Sequence, residues 1–161
     1  MTRLFAAALL ALSACAIPGQ PAASPSAPAT GCRPGSPLAG IWTPDRLKVL
    51  KVCQHAAGVI LDVESEPDGD HHIWFAVDQG YGQLLNGKNV FGGRPALLAE
   101  IVPDCPLSTN PPDPNTAAEC PPSRLPIPAA GDHIAVDGPW VYDVNHGWNE
   151  IHPVDSIVRL R

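Results

Sequence analysis

The stretch that decides the fold is GDHIAVDGPWVYDVNHGWNEIHPV, residues 131–154. Its apolar side chains recur at every second position over residues 133–144, a period that is typical of β-strands. The Asn-His-Gly sequence at 145–147 has the composition of a turn. We therefore predict a long strand that bends at Gly138, then a tight turn, and then a final strand over residues 148–153.

Two further alternating runs lie upstream, at residues 59–64 and 72–77, and the turn sequence SEPDGD separates them. This arrangement predicts a β-hairpin, and Gly58 in front of it suits a bulge or a bend. Alternation puts the carboxylates of Asp62 and Glu64 on the outer face of the first strand.

The composition agrees with a fold built from strands. The chain has 161 residues with 20 prolines and 14 glycines, which long helices do not tolerate in their interiors. ALLAEIV, residues 96–102, is a third strand, and a connection with nine prolines follows it from Pro103 to Pro128. We expect one all-β domain in the order hairpin, third strand, proline-rich connection and closing hairpin, which makes five strands.

The N-terminal sequence MTRLFAAALLALSAC has the layout of an export signal. Its apolar run is shorter than the roughly 20 residues that a membrane-spanning helix needs. LSAC at residues 12–15 resembles the bacterial lipobox, in which the cysteine is lipidated. We predict a signal peptide at 1–14, a lipid-anchored Pro/Ala/Ser-rich tether at 15–37 and a domain at 38–161, held outside the cytoplasm on the bacterial membrane through Cys15.

Four cysteines remain once Cys15 is assigned to the lipid, and an even number in an exported domain indicates two disulfides. Three pairings are possible. We favour Cys32 with Cys53 at the entrance of the domain, and Cys105 with Cys120 around the proline-rich loop. Zinc–thiolate binding is the competing interpretation, but the chain has no C-x2-C pair.

The C-terminal stretch is similar to the fourth and fifth strands of OB-fold domains, where G-D-x-h-x-h-x-G precedes a second half-strand and a closing strand. GVILDVESEPDGDHHIWFAV, residues 58–77, resembles their first hairpin. The combination also resembles a group of uncharacterised bacterial secreted or lipid-anchored proteins that share HGW-x-EIHPV. The resemblance covers residues 53–161 and implies a small five-stranded OB-like Greek-key barrel, with the disulfide-closed loop between strands three and four. It implies no activity.

The charge disfavours nucleic acid, which some OB-folds bind. The formal charge is −6, and removal of residues 1–14 with Arg3 leaves −7. Binding to a phosphate backbone depends on Lys and Arg, and the basic residues of this chain are scattered.

The last strand carries the candidate site. Alternation places Trp148, Glu150 and His152 on one of its faces, and Asn149 and Ile151 on the other. One hypothesis is a structural role, in which Trp148 packs and the two polar side chains bond to each other or to backbone.

Two binding hypotheses stand beside the structural one. The first is a ligand patch, whose members are His72, Trp74, His146, Trp148, Glu150 and His152. The second is a metal site at His146, Glu150 and His152, although an extended strand separates His146 from Glu150 by about 13 Å. Asp68 and Asp70 in the hairpin turn offer oxygen ligands for Ca²⁺.

The sequence contains no recognisable nucleophile motif, so we assign no catalytic residue and no cofactor. We expect a membrane-tethered, extracytoplasmic binding module whose partner is a protein or a small molecule. The first alternative function is that of a metal-binding protein or metal-dependent enzyme that uses His146, Glu150 and His152. The second alternative is a nucleic-acid-binding OB-fold.

Overall fold

The computed structural model describes residues 31–104 and 120–161. The described chain is all-β, as predicted, and its only helical turns are two short 3₁₀ segments, Pro44–Arg46 and Gly82–Leu84. No helix in this part of the chain has the length and hydropathy of a membrane span. The strands are β1 Leu47–Ser65, β2 His71–Val77, β3 Val90–Phe91, β4 Arg94–Pro95, β5 Leu97–Ile101, β6 His133–Asp143, β7 Asn149–Ile151 and β8 Ser156–Arg159.

Strand pairing in the main sheet runs in a closed circuit. β1 pairs with β2, β2 with β5, β5 with β7, β7 with β6, and β6 pairs again with β1. The β5–β7 pair is parallel and all the other pairs are antiparallel. β8 pairs with the N-terminal half of β6, on the same edge of β6 as β7, and β3 and β4 form a separate two-stranded ladder.

The prediction of five strands is wrong in number, because the described residues form eight. The predicted hairpin, third strand and closing pair are present, as β1–β2, β5 and β6–β7. The closing strand is shorter than predicted and ends at Ile151. The further strand β8 forms because the chain turns back after Val154 and pairs with the outer part of β6.

The 19-residue strand β1 serves two neighbours, and Gly58 marks the place where it passes from one to the other. Gly58 is paired with Val77 on β2 and with Ile134 on β6. A Cβ atom at this position would clash with the carbonyl oxygen of Ala76. The glycine predicted to allow a bend is therefore required for the close approach of two strands.

A bulge in β1 changes which of its side chains face inward. The register shifts between Ile60 and Asp62, so Ile60 lies in the core while Asp62 and Glu64 stay on the outer face opposite β2. The outward placement of the two carboxylates is as predicted. Without the bulge, simple alternation would place Ile60 on the same face as Asp62 and Glu64. The bulge is the reason that Ile60 lies on the other face.

The main core lies inside the closed circuit of strands. It is built from the inward-facing residues of every strand in the circuit, including Ile60, Ile73, Phe75, Leu97, Ile101, Ile134 and Ile151. Two smaller apolar clusters lie on the outside. Ile41, Leu47 and Val141 form one, and Trp74, Ala96 and Leu98 form the other.

The predicted disulfide between Cys32 and Cys53 is present, with the Cα atoms 5.8 Å apart. It fastens the segment that precedes the sheet to β1, and Arg33 adds an ion pair with Asp155 at 2.8 Å. A disulfide is consistent with a location outside the cytoplasm. Cys120 is also disulfide-bonded, but Cys105, its predicted partner, lies outside the described residues, as does the lipidation site Cys15.

Candidate ligand-binding site

Strand register brings a row of polar side chains together on the outer face of the sheet. His72 on β2 is opposite Glu100 on β5, and Trp74 is opposite Leu98. Leu98 is in turn paired with Glu150 on β7. Because facing residues share a side of the sheet, these side chains and His152 lie on the face opposite to the main core.

The centre of this face is a buried histidine between two buried glutamates. Nδ1 of His152 lies 3.0 Å from Oε1 of Glu150 and 2.8 Å from Oε2 of Glu100. None of the three residues is more than 2% exposed. Glu150 also accepts a hydrogen bond from the indole of Trp148, at 2.9 Å.

Burial and charge act in opposite directions on this trio. Burial by itself would lower the pKa of His152, but the charges and hydrogen bonds of Glu100 and Glu150 together outweigh it and raise that pKa above its ordinary value. Burial would likewise raise the pKa of Glu100, and the charges of His152, His72 and Arg46 lower it instead. Burial raises the pKa of Glu150. Glu100 is therefore the more firmly ionised of the two carboxyls.

Arg46 extends the network toward the N-terminal segment. Its guanidinium lies 2.9 Å from Oδ2 of Asp143 and 3.8 Å from Oε2 of Glu100. The same Asp143 oxygen contacts Nδ1 of His146 at 2.9 Å. The 3₁₀ turn Pro44–Arg46 directly precedes β1 and positions Arg46 at this network.

A small cavity opens beside this network. It has a volume of about 130 Å³ and lies between the N-terminal segment, the β1–β2 turn and the end of β5. Its polar lining includes Thr43, Arg46, Asp70 and His152, and its apolar wall includes Ile41, Trp42, Val102 and Pro103. A volume of this size holds an ion with its water, or a molecule of a few heavy atoms, because a water occupies about 30 Å³ in the liquid.

Asp70 is the carboxylate at the mouth of the cavity. Burial raises its pKa to about 7, and the neighbouring negative charges of Asp68 and Glu100 act in the same direction. The backbone N–H of Asp70 donates a hydrogen bond to Oδ1 of Asp68 at 3.2 Å, as in an Asx turn. Asp68 and Asp70 both line the cavity, and Asp68 also holds the turn through this hydrogen bond.

The predicted ligand patch divides into two parts. Its aromatic part is a continuous stack, in which His146 lies face to face with Trp148 at 4.4 Å and Trp148 meets Trp74 edge-on at 5.3 Å. In its charged part, His72 and His152 contact Glu100, and His152 also contacts Glu150. Trp148 joins the two parts through its hydrogen bond to Glu150.

The predicted metal ligands do not converge. His146 contacts Asp143, and among the described residues it joins neither of the groups whose ligand atoms lie within 4.8 Å of one another. Those groups are Asp70 with Glu100 and His152, and the more exposed set of Glu64, Glu66 and His72. Of the three predicted ligands, only His152 belongs to such a group.

Sequence reasoning missed Glu100, Arg46 and Asp143 as members of the site. A signal was available for Glu100, because it is the one charged residue in the apolar run ALLAEIV. A charged side chain in a buried strand is uncommon unless it is paired. Arg46 has no such signal, since it lies in a polar segment near other basic residues.

No protein-family model, curated protein or solved structure matches this chain.

Proposed function

We propose that this protein is a membrane-tethered, extracytoplasmic binding module that holds a small polar ligand in the cavity beside Trp42, Arg46, Asp70 and His152. The observation that carries the proposal is the cavity itself, which places buried charged groups next to solvent. Convergent polar groups at the base of a concave site are the usual design of a ligand pocket. Among the described residues that line the cavity, no serine or cysteine lies beside His152, so we propose binding without catalysis there.

An OB-like barrel is the finer fold that we propose. The closed circuit of five pairings, β1-β2-β5-β7-β6, and the parallel β5–β7 pair support it. OB-folds are small Greek-key barrels that bind ligands on the face of their second and third strands and at the loop after the first. In this chain those places correspond to the outer face of β2 and β5 and to the turn with Asp68 and Asp70.

Tethering to the outside of a bacterial membrane is supported by the N-terminal sequence pattern and by the disulfide between Cys32 and Cys53. The resemblance to secreted and lipid-anchored bacterial proteins that share HGW-x-EIHPV agrees with it. Nucleic-acid binding is less favoured, because the net charge is −6 and the cavity is lined by two carboxylates.

The tether is tested by growing a bacterial host with an alkyne-labelled fatty acid and fractionating the cells. The wild-type chain should carry the label and sediment with membranes, whereas Cys15→Ser should do neither. The same result for both proteins would contradict lipidation at Cys15.

The cavity is tested by NMR titration of the isotopically labelled domain with acetate, glycine, ethanolamine and Zn²⁺ as separate probes. At least one should shift the resonances of Trp42 and Asp70. Thr43→Phe, which fills the cavity, should abolish the shifts, and Gln83→Phe, on an exposed turn, should preserve them. Failure of all four probes would refute the cavity as a ligand site for small polar molecules and ions.

A further inference from the structure

We infer that Asp70, Glu100 and His152 bind one divalent metal ion of mixed nitrogen and oxygen preference, such as Zn²⁺, beside the cavity that Asp70 and His152 line. The inference rests on the proposed function, since it names the ligand of the same cavity. One ligand atom from each of the three residues lies within 4.8 Å of the other two. Small side-chain movements bring such a set to the roughly 2 Å metal–ligand distances of a common ion.

The three ligands come from three separate parts of the sheet. Asp70 ends the β1–β2 turn, Glu100 lies within β5 and His152 follows β7. Glu100 and His152 are each 2% exposed or less, and Asp70 is partly exposed at the cavity. The strands therefore hold two ligands rigidly, while the third lies where an ion would enter.

The carboxylate of Glu100 has one oxygen that could accept a further partner. Oε2 is buried and forms an ion pair with Nδ1 of His152 at 2.8 Å, but no residue in the described ranges meets it with hydrogen-bond geometry. Nδ1 also forms a hydrogen bond with Oε1 of Glu150. A cation coordinated by Oε2 would add to the ion pairs that this buried oxygen already has with His152 and, at 3.8 Å, with Arg46.

The environment of His152 resembles the support that metal-binding histidines commonly have. A histidine ligand usually donates its other ring N–H to a carboxylate, which fixes the orientation of the ring. Here Nδ1 donates to Glu150, and Glu150 is itself held by the indole N–H of Trp148. Nε2 is then the ring nitrogen left to coordinate the ion.

The charge of Arg46 is directed mainly at Asp143 and not at Glu100. Arg46 makes its close contact with Asp143 at 2.9 Å and lies 3.8 Å from Glu100. Glu100 therefore remains available to a cation beside His152.

The donor set predicts selectivity among metals. One imidazole nitrogen and two carboxylates suit Zn²⁺ or Mn²⁺, with the cavity supplying space for a bound water. Ca²⁺ prefers six to eight oxygen ligands and gains little from an imidazole. We expect Zn²⁺ to bind most tightly and Ca²⁺ to bind at least tenfold more weakly.

The test is calorimetric titration of the chelator-treated domain, purified without a His-tag, with ZnCl₂, MnCl₂ and CaCl₂. Wild-type protein should bind one equivalent of Zn²⁺ with a rise in melting temperature. Asp70→Asn should weaken the binding at least tenfold, and His152→Gln should abolish it. Asp70→Asn lies at the cavity mouth and keeps the size of the side chain, so it gives a result even if His152→Gln fails to fold.

The second cluster supplies the matched control. Glu66→Gln removes a carboxylate from the set of Glu64, Glu66 and His72 and should leave Zn²⁺ binding unchanged. The inference is overturned if wild-type protein binds neither Zn²⁺ nor Mn²⁺, or if Asp70→Asn binds as tightly as wild type. If the NMR resonances of Trp42 shift with acetate, glycine or ethanolamine but not with metals, the metal site is refuted and the proposed binding function is retained. If no probe shifts these resonances, both proposals are refuted.

Discussion

His152 and Glu150 form a hydrogen-bonded pair at 3.0 Å that is shut off from solvent on the outer face of the sheet. They are two residues apart in the chain, so one strand places both side chains on the same face. Glu100 completes the arrangement from the neighbouring strand at 2.8 Å from the imidazole. The buried network fastens β5, β7 and the Arg46 segment together, whether or not an ion is bound.

His152→Ala should destabilise the metal-free domain by about 3–5 kcal/mol, because it leaves two buried carboxyls without their positive partner. Glu150→Gln should cost about 1–3 kcal/mol through loss of a charged hydrogen bond. Urea unfolding followed by tryptophan fluorescence measures both values.

The control is the exposed pair of His133 and Asp78, which has a similar distance of 2.8 Å. His133→Ala should cost less than about 1 kcal/mol, since solvent screens the pair. Equal losses in the buried and exposed variants would contradict the structural role of the network.

The pH dependence of stability should contain a contribution from Asp70. Burial, followed by the charge of Asp68, raises its pKa to about 7 in the folded protein, whereas an unfolded Asp titrates near 3.9. The folded state therefore holds a proton between about pH 4 and 7 that the unfolded state has lost. The resulting stabilisation is complete below pH 4 and disappears as the pH rises through 7.

Asp70→Asn should remove this pH dependence, because an amide does not titrate. The free energy of unfolding of the variant should therefore fall less between pH 4 and 8 than that of the wild type. The difference is on the order of 4 kcal/mol, since each unit of pKa difference corresponds to about 1.4 kcal/mol. Urea unfolding in buffers with a chelator at several pH values measures it, and the exposed Asp45→Asn serves as the control. Parallel curves for wild type and Asp70→Asn would show that the carboxyl does not retain its proton.

Loss of the disulfide between Cys32 and Cys53 should lower stability by about 3 kcal/mol. The bond closes a loop with a sequence separation of 21 residues, and a loop of this length in the unfolded chain accounts for that amount. The double variant Cys32→Ser/Cys53→Ser, compared with wild type in urea, measures the effect. Intact mass before and after reduction should also reveal the second predicted disulfide, and free thiols at Cys105 and Cys120 would disprove that pairing.

Gly58→Ala should be strongly destabilising, by about 2–3 kcal/mol, because the new methyl group would meet the carbonyl oxygen of Ala76 on β2. Gly87→Ala provides a matched control, since an added methyl group there meets nothing within 4 Å. Thermal unfolding by circular dichroism compares the two. A Gly58→Ala protein as stable as Gly87→Ala would show that β1 does not pass so closely between β2 and β6.

Much of the strand content was predictable, because the alternation of apolar and polar side chains along a strand is a local property of the sequence. The alternation around SEPDGD predicted the β1–β2 hairpin, and the 131–154 stretch predicted β6 and β7. The bulge between Ile60 and Asp62 was not predictable from period, since it depends on how β1 fits against β2. The strand β8 was missed because SIVR is short and pairs only through the tertiary fold.

The sequence by itself determined that the described chain is all-β and that Glu150 and His152 share a face, because both follow from spacing along the chain. It favoured the pairing of Cys32 with Cys53 among three possible pairings, and the structure decided it. Only the tertiary structure decided that Glu100 and Asp70 join His152, while His146 turns to Asp143 instead. The reason is that the alternation of side chains along a strand assigns each side chain to a face of that strand only. The parallel pairing of β5 with β7 decides which side chains of the two strands meet. That pairing joins residues some 50 positions apart, so alternation along one strand does not reveal it.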